Sequence, residues 1–192
     1  MIRHKLSGVG AAMITPFTAD GRIDYEALAS TVDYVIEGGA DYIVALGTTA
    51  ETPTLYMPER AVIAMFISNH IAGRVPLVIG VGGNSTSEVL DQLREFDLRR
   101  ADAILSVTPY YNKPSQEGLY QHFRTVSEHS PVPVILYNIP GRAGVNMSDE
   151  TTLRIARDFG NVIGVKEASG DIAQIQRIID RRPEGFLVLS GD

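Results

Sequence analysis

An α/β fold with parallel strands is what the sequence predicts, on three observations. Short apolar runs recur along the chain, segments of helical period separate them, and the stretches just after the runs are rich in glycine and hydroxyl side chains. The runs are Val9 to Ile14, Tyr42 to Leu46, Leu77 to Val81, Ala103 to Val107, Val134 to Tyr137, Val162 to Val165 and Phe186 to Leu189. They follow one another at intervals of about two to three dozen residues, as successive β/α units do.

The intervening helices are read from spacing and caps. Leu28, Val32 and Val35 fall on one face after Asp24 and before the pair Gly38 and Gly39, which can end a helix. Pro58 suits the first turn of a helix running to about Ala72. Val89, Leu93 and Phe96 repeat the spacing behind Ser85 and Glu88, whose separation is that of a capping box. Leu119, Phe123 and Val126 form a stripe after Ser115, and Ile172, Ile175 and Ile179 form another after Asp171. Strands alternating with helices admit a doubly wound open sheet or a (β/α)8 TIM barrel, and the regular repeat favours the barrel. A complete barrel needs an eighth strand and typically about 250 residues. The expectation is therefore one domain over residues 1–192, a barrel truncated after the seventh strand and lacking the closing strand and the C-terminal helical segment.

Composition narrows the function classes. With 192 residues, 44% hydrophobic and 21% charged, the chain can bury one sizeable core. A formal net charge of -6 with scattered lysines and arginines leaves no footprint for nucleic acid. The stretch after Lys5 is broken by glycines and a proline, so it reads neither as a signal sequence nor as a membrane span. Absence of cysteine excludes disulfides, thiolate nucleophiles and zinc-thiolate sites and suits a cytoplasmic protein. His4, His70, His122 and His129 lack tight ligand spacing and read as surface or packing residues, so neither a metal nor another cofactor is expected. Three nucleotide and hydrolase patterns are also missing: the last glycine of G-x-G-x-x-G in "GVGGNS", a phosphate-binding G-x-x-x-x-G-K-[ST], and a G-x-S-x-G elbow.

In parallel α/β folds the C-terminal strand ends and the loops after them converge on the active site. Those ends carry Thr15, "GTTAET", "GGNST", "TPYYNKP", "YNIPGRAG", "KEASGD" and "SGD". Lys166 is the lysine that follows a buried-looking strand. An amine of ordinary pKa near 10.4 is useless as a nucleophile while protonated, and desolvation frees its lone pair. Tyr137 closes another strand, where a phenol can pass protons between amine, carbinolamine and water. Thr48 and Thr49 follow Gly47 and offer hydroxyls and amides to a small carboxylate. Tyr110 and Tyr111 put two aromatics in one loop, and Arg142 could hold a carboxylate by a two-bond fork. Each also has an ordinary structural reading: a lysine snorkelling to solvent, a satisfied core tyrosine, interface aromatics or a solvated arginine.

Together the stretches "GTTAETPTL", "TPYYNKPSQEGLYQHF", "YNIPGRAG", "GVKEASGD" and "LSGD" resemble the dihydrodipicolinate synthase family of class I pyruvate-dependent lyases and aldolases, over essentially the whole chain. The resemblance implies a (β/α)8 barrel in which Lys166 forms a Schiff base with pyruvate, whose enamine attacks L-aspartate 4-semialdehyde on the route to diaminopimelate and lysine. It implies Tyr137 as proton shuttle in a hydroxyl relay with Thr49 and Tyr111, the last acting across a subunit contact in a dimer of dimers. Thr48 and Thr49 would seat the pyruvate carboxylate, Gly191 would line the same pocket, and Arg142 would orient the carboxylate of the aldehyde. Asn84, Glu88 and Tyr110 match the family's lysine effector site, whereas Met57 and Arg60 stand where inhibited members carry histidines. Ala50 replaces a frequent glycine and Ala143 a usual threonine. N-acetylneuraminate lyase and 2-keto-3-deoxy sugar-acid aldolases share the Schiff base, and Arg142 argues against their polyol partners. A binding or assembly fragment without turnover is the reading from another class.

Overall fold

The computed structural model describes residues 5–191, which form two compact units. His4 and Asp192 lie outside the described residues.

The first unit comprises the chain to Gly80 together with Arg94–Ala103. Its strands β1 (Gly10–Ala12), β2 (Tyr42–Ala45) and β3 (Leu77–Gly80) run parallel in sequence order. The first apolar run yields a shorter strand than its length suggests, because Val9 and Ile14 lie outside it, 67% and 48% exposed. Strand β2 is buried throughout, as an apolar run covered on both faces must be. Helix α1 (Tyr25–Glu37) starts where the Asp24 carboxylate accepts from the Ala27 amide at 2.9 Å, and it buries Leu28 and Val32. Gly39, at φ 89°, takes the left-handed conformation that turns the chain out of this helix. Helix α2 (Met57–Ile71) carries Pro58 in its first turn, with the Glu59 carboxylate accepting from the Tyr56 amide at 2.8 Å. Ile63, Ile67 and Ile71 bury its inner face. Each such side chain removed from water contributes roughly 1.5–3 kcal/mol before conformational entropy is counted.

The second unit comprises Val81–Leu93 and residues from Ile104 onward. Strands β4 (Ala103–Val107, its first residue in the other unit), β5 (Val134–Asn138), β6 (Val162–Glu167) and β7 (Leu187–Ser190) are again parallel and sequential where they pair. Helix α3 (Thr86–Glu95, its last two residues in the other unit) precedes β4, and helices α4 (Gln116–His129), α5 (Pro140–Ala143), α6 (Asp149–Asp158) and α7 (Ile172–Arg181) connect the strands. Ser115 and Asp171 cap α4 and α7 through the Gly118 and Gln174 amides, as their positions predict. The Ser85 cap is weaker than the capping-box spacing suggests: its hydroxyl lies 3.5 Å from the Glu88 amide and 2.9 Å from Ser87 Oγ. The stripe on α7 is only partly covered, with Ile172 73% exposed. Helix α6 is capped by Ser148, which accepts from Thr151 N; its signal, a serine followed by Asp149 and Glu150, was present in the sequence.

Two strand boundaries matter for chemistry. Strand β7 begins one residue after the start of the apolar run and ends one residue beyond it, with Phe186 buried just before it. Strand β6 extends through Lys166 and Glu167, so the lysine is a strand residue and not the first residue beyond one.

Candidate active site

The register of β6 decides what Lys166 faces. Val134 pairs with Val162, but the next pair is Ile135 with Gly164, so β6 contains one extra residue, Ile163. Unbroken pairing would have set Tyr137 opposite Val165; the shift sets it opposite Lys166, and Asn138 opposite Glu167. Because side chains alternate along a strand, Tyr137, Lys166 and Leu189 share one face and Asn138, Glu167 and Ser190 the other. The Lys166 Nζ lies 4.6 Å from the centroid of the Tyr137 ring. Tyr137 is 5% exposed and Lys166 is half-buried, so the lysine amine lies over the face of a buried ring.

Glycines make room around this pair. A Cβ at Gly164 would stand 2.7 Å from the Leu187 Cβ, so the close approach of β6 to β7 requires glycine. A Cβ at Gly191 would lie 2.6 Å from the Ala168 Cβ and 3.2 Å from Lys166 Cε, so a side chain there would press on the lysine stem. The Gly191 amide donates to the Glu167 carbonyl at 2.9 Å, fixing that residue beside Lys166.

The other expected residues of this unit lie in loops, in the short helix α5 and in the first turn of α3. Tyr111 is 85% exposed and has φ 71°, a left-handed backbone that a bulky residue adopts at a cost of about 1–2 kcal/mol. Its amide donates to the Ala143 carbonyl at 3.2 Å, which ties its loop to α5 and to the exposed Arg142. Asn112 donates through Nδ2 to the Asn84 carbonyl at 3.3 Å, bringing the loops of Asn84 and Tyr110 together. Tyr110 is half-buried, and Glu88 is exposed on the first turn of α3.

Thr48 and Thr49 belong to the first unit. They form a 3₁₀ turn with Ala50 directly after β2, and both are exposed. Leu46 and Glu51 bracket the turn with φ 55° and 54°. Thr15 donates to the Ala50 carbonyl at 2.8 Å and Thr52 to the Gly47 carbonyl at 2.9 Å, so the turn is held from two sides. A cleft of about 610 Å³ in the same unit lies at the opposite, N-terminal end of β3, lined by residues including Lys5, Arg74, Arg100 and Asp102. It includes none of the expected site residues.

Three histidines are accounted for by packing and surface contacts. His70 Nε2 lies 2.9 Å from Asp33 and its ring stacks on Phe66, and His129 Nδ1 meets the Thr125 carbonyl at 2.8 Å. His122 is buried with Nδ1 2.8 Å from Thr86 Oγ1, and desolvation pushes its pKa down to about 4. Among the described residues no three His, Asp or Glu side chains converge as a metal-ligand set, and no helix is long and apolar enough to cross a membrane.

Sequence reasoning missed a buried amide and carboxylate cluster behind the lysine. Asn138 donates to Glu167 Oε1 at 2.8 Å and to Asn146 Oδ1 at 2.7 Å, while Gln174 donates to Glu167 Oε2 at 2.9 Å. Its members are scattered over two strands, a loop and a helix, and the glutamate's place on a strand was the one local sign of it.

A half-buried strand lysine thus lies against a buried tyrosine on parallel β/α units, an arrangement of side chains suited to chemistry at a carbonyl carbon. The chain belongs to the dihydrodipicolinate synthetase family, whose model matches residues 5–192. It is 55% identical over 187 residues to the 4-hydroxy-tetrahydrodipicolinate synthase of Parabacteroides distasonis, covering 97% of this chain and 63% of that protein. Among solved structures it resembles the chloride-inhibited dihydrodipicolinate synthase of Acinetobacter baumannii complexed with pyruvate (TM-score 0.92, 42% identity, 96% of this chain and 63% of that one). A structure described as the first monomeric dihydrodipicolinate synthase variant matches with TM-score 0.94 and 41% identity, over 99% and 64% of the two chains. The fold class is thus the α/β barrel class expected from the repeat. The chain spans less than two thirds of the length of these relatives.

Proposed function

We propose that the protein acts as a 4-hydroxy-tetrahydrodipicolinate synthase, with Lys166 as the amine that takes up pyruvate. The neutral amine adds to the ketone carbon, water leaves, and the resulting iminium draws electrons from the adjacent methyl group, which loses a proton to give an enamine. The enamine carbon attacks the aldehyde of L-aspartate 4-semialdehyde. The amino group of that substrate then closes on the iminium carbon and expels the lysine, which is regenerated.

The observation that supports this most is the pairing of Lys166 with Tyr137, Nζ being 4.6 Å from the ring centroid. A tyrosine whose ring lies against the lysine is suited to supply a hydroxyl that carries protons to and from the carbinolamine oxygen. On the family resemblance Thr49 and Tyr111 join it in a relay, Thr48 and Thr49 take the pyruvate carboxylate, Gly191 lines that pocket and Arg142 receives the second substrate's carboxylate. The exposure of Tyr111 on a constrained backbone suits a role against a neighbouring subunit. Assembly as a dimer of dimers, a single domain over residues 1–192, and residence in the cytoplasm belong to the same proposal.

The test supplies pyruvate with a panel of aldehydes. Consumption of L-aspartate 4-semialdehyde in preference to N-acetylmannosamine or glyceraldehyde supports the reading, and preference for a polyol aldehyde overturns it in favour of a sugar-acid lyase.

A further inference from the structure

Glu167 has no part in the chemistry just described, and it occupies an expensive position. It is 2% exposed, on the opposite face of β6 from Lys166, and the strand's apolar character gives no reason for a carboxylate there. Both of its oxygens accept from side-chain amides, Asn138 Nδ2 at 2.8 Å and Gln174 Nε2 at 2.9 Å. Asn138 and Gln174 are themselves 0% and 3% exposed. They are fixed in turn: Met147 N donates to Asn138 Oδ1 at 2.9 Å, Asn146 Nδ2 donates to Gln174 Oε1 at 2.8 Å, and Gln174 Nε2 also reaches the Met147 carbonyl at 3.2 Å. The main chain on either side is bonded as well, Ala168 N to the Asn138 carbonyl and Gly191 N to the Glu167 carbonyl, each at 2.9 Å.

This cluster sits where the register of β6 is decided. The extra residue at Ile163 makes two pairings available, and only the shifted one sets Lys166 opposite Tyr137. The same shift sets Glu167 opposite Asn138, where their side chains bond. In the unshifted pairing Lys166 would replace Glu167 opposite Asn138, a buried site built of amides that would leave an ammonium there with too few acceptors. The carboxylate is thereby coupled to the lysine through the strand: one cannot take its place without the other.

From this we propose that Glu167, held by Asn138 and Gln174, is a positioning residue for Lys166, selecting the register that presents the amine to Tyr137. The inference rests on Lys166 as the pyruvate-binding amine. Replacing Glu167 by glutamine keeps size and turns one acceptor into a donor facing a donor, so one arm of the clamp is lost.

The experiment compares wild type, Glu167→Gln and Gln174→Met by borohydride trapping of pyruvate on Lys166, varying pyruvate and working below the unfolding temperature of each. Loosened positioning lowers the maximal trapping rate roughly tenfold or more in Glu167→Gln and about threefold in Gln174→Met, with half-saturating pyruvate unchanged. A merely structural role lowers the unfolding temperature and leaves that rate at the wild-type value, which overturns the proposal. If Glu167→Gln does not fold, Gln174→Met decides by the same criterion. If wild type itself traps no pyruvate, the functional reading fails and the clamp is judged separately by the crystal structure of Glu167→Gln, or of Gln174→Met in its place. A Lys166 Nζ still 4.6 Å from the Tyr137 ring then overturns it, and a displaced one supports it.

Discussion

Acidification removes stability through His122, and the amount can be worked out. The imidazole is 4% exposed, bonds Thr86 through Nδ1, and among the described residues offers no partner to Nε2. A second proton would therefore be buried with nothing to receive it, which is why its pKa falls from the ordinary 6.5 to about 4. Between those values the unfolded chain binds more protons than the folded one, so stability falls as pH falls. The contribution is complete above about pH 6.5 and is exhausted as pH drops through about 4. The pKa difference corresponds to about 2 kcal/mol lost by pH 5 and about 3 kcal/mol lost by pH 4. Urea unfolding of wild type and of His122→Gln, which can keep a bond to Thr86 without titrating, is to be measured at pH 7, 6, 5 and 4.5. Other groups titrate in both proteins and cancel in the comparison, so wild type should lose about 2 kcal/mol more than the variant between pH 7 and 5. Parallel loss in the two proteins would refute the reasoning.

Two further outcomes follow from close contacts. Gly80→Ala would set a Cβ 2.0 Å from the Leu46 carbonyl oxygen, a backbone atom at the bend before Thr48, and should destabilise the protein by roughly 1–3 kcal/mol in thermal or urea unfolding; an unchanged midpoint contradicts the packing described. Tyr137→Phe retains the ring beside Lys166 and removes the hydroxyl, so stability should hold while pyruvate trapping slows by about a hundredfold, measured by quenched mass spectrometry.

The legible part of the fold was its period. Ala103 to Val107 became β4 without change, and Asp24, Ser115 and Asp171 cap the helices they precede, because apolar alternation and capping are properties of neighbouring residues. Val9 and Ile14 misled because apolar residues at a strand's flanks can remain exposed, and burial is settled by partners remote in sequence. At the site, Lys166 and Tyr137 were legible as strand-end residues. Their pairing was not, since it depends on a one-residue shift that no local signal marks. Asn138, Glu167 and Gln174 were hidden for a related reason: a polar residue declares itself buried only when the groups that satisfy it are known, and here they come from three different elements. Tyr111 showed itself as a loop aromatic, while its left-handed backbone is a property that sequence does not announce.

The central claim is covalent: pyruvate is held as an imine on one amine. Incubating the protein with pyruvate and borohydride, digesting it and weighing the fragments tests this directly, with Lys166→Ala as control. The reduced pyruvyl group should appear on the peptide containing Lys166 and vanish in the control. An unmodified Lys166 peptide, or equal labelling of other lysines, would contradict the account.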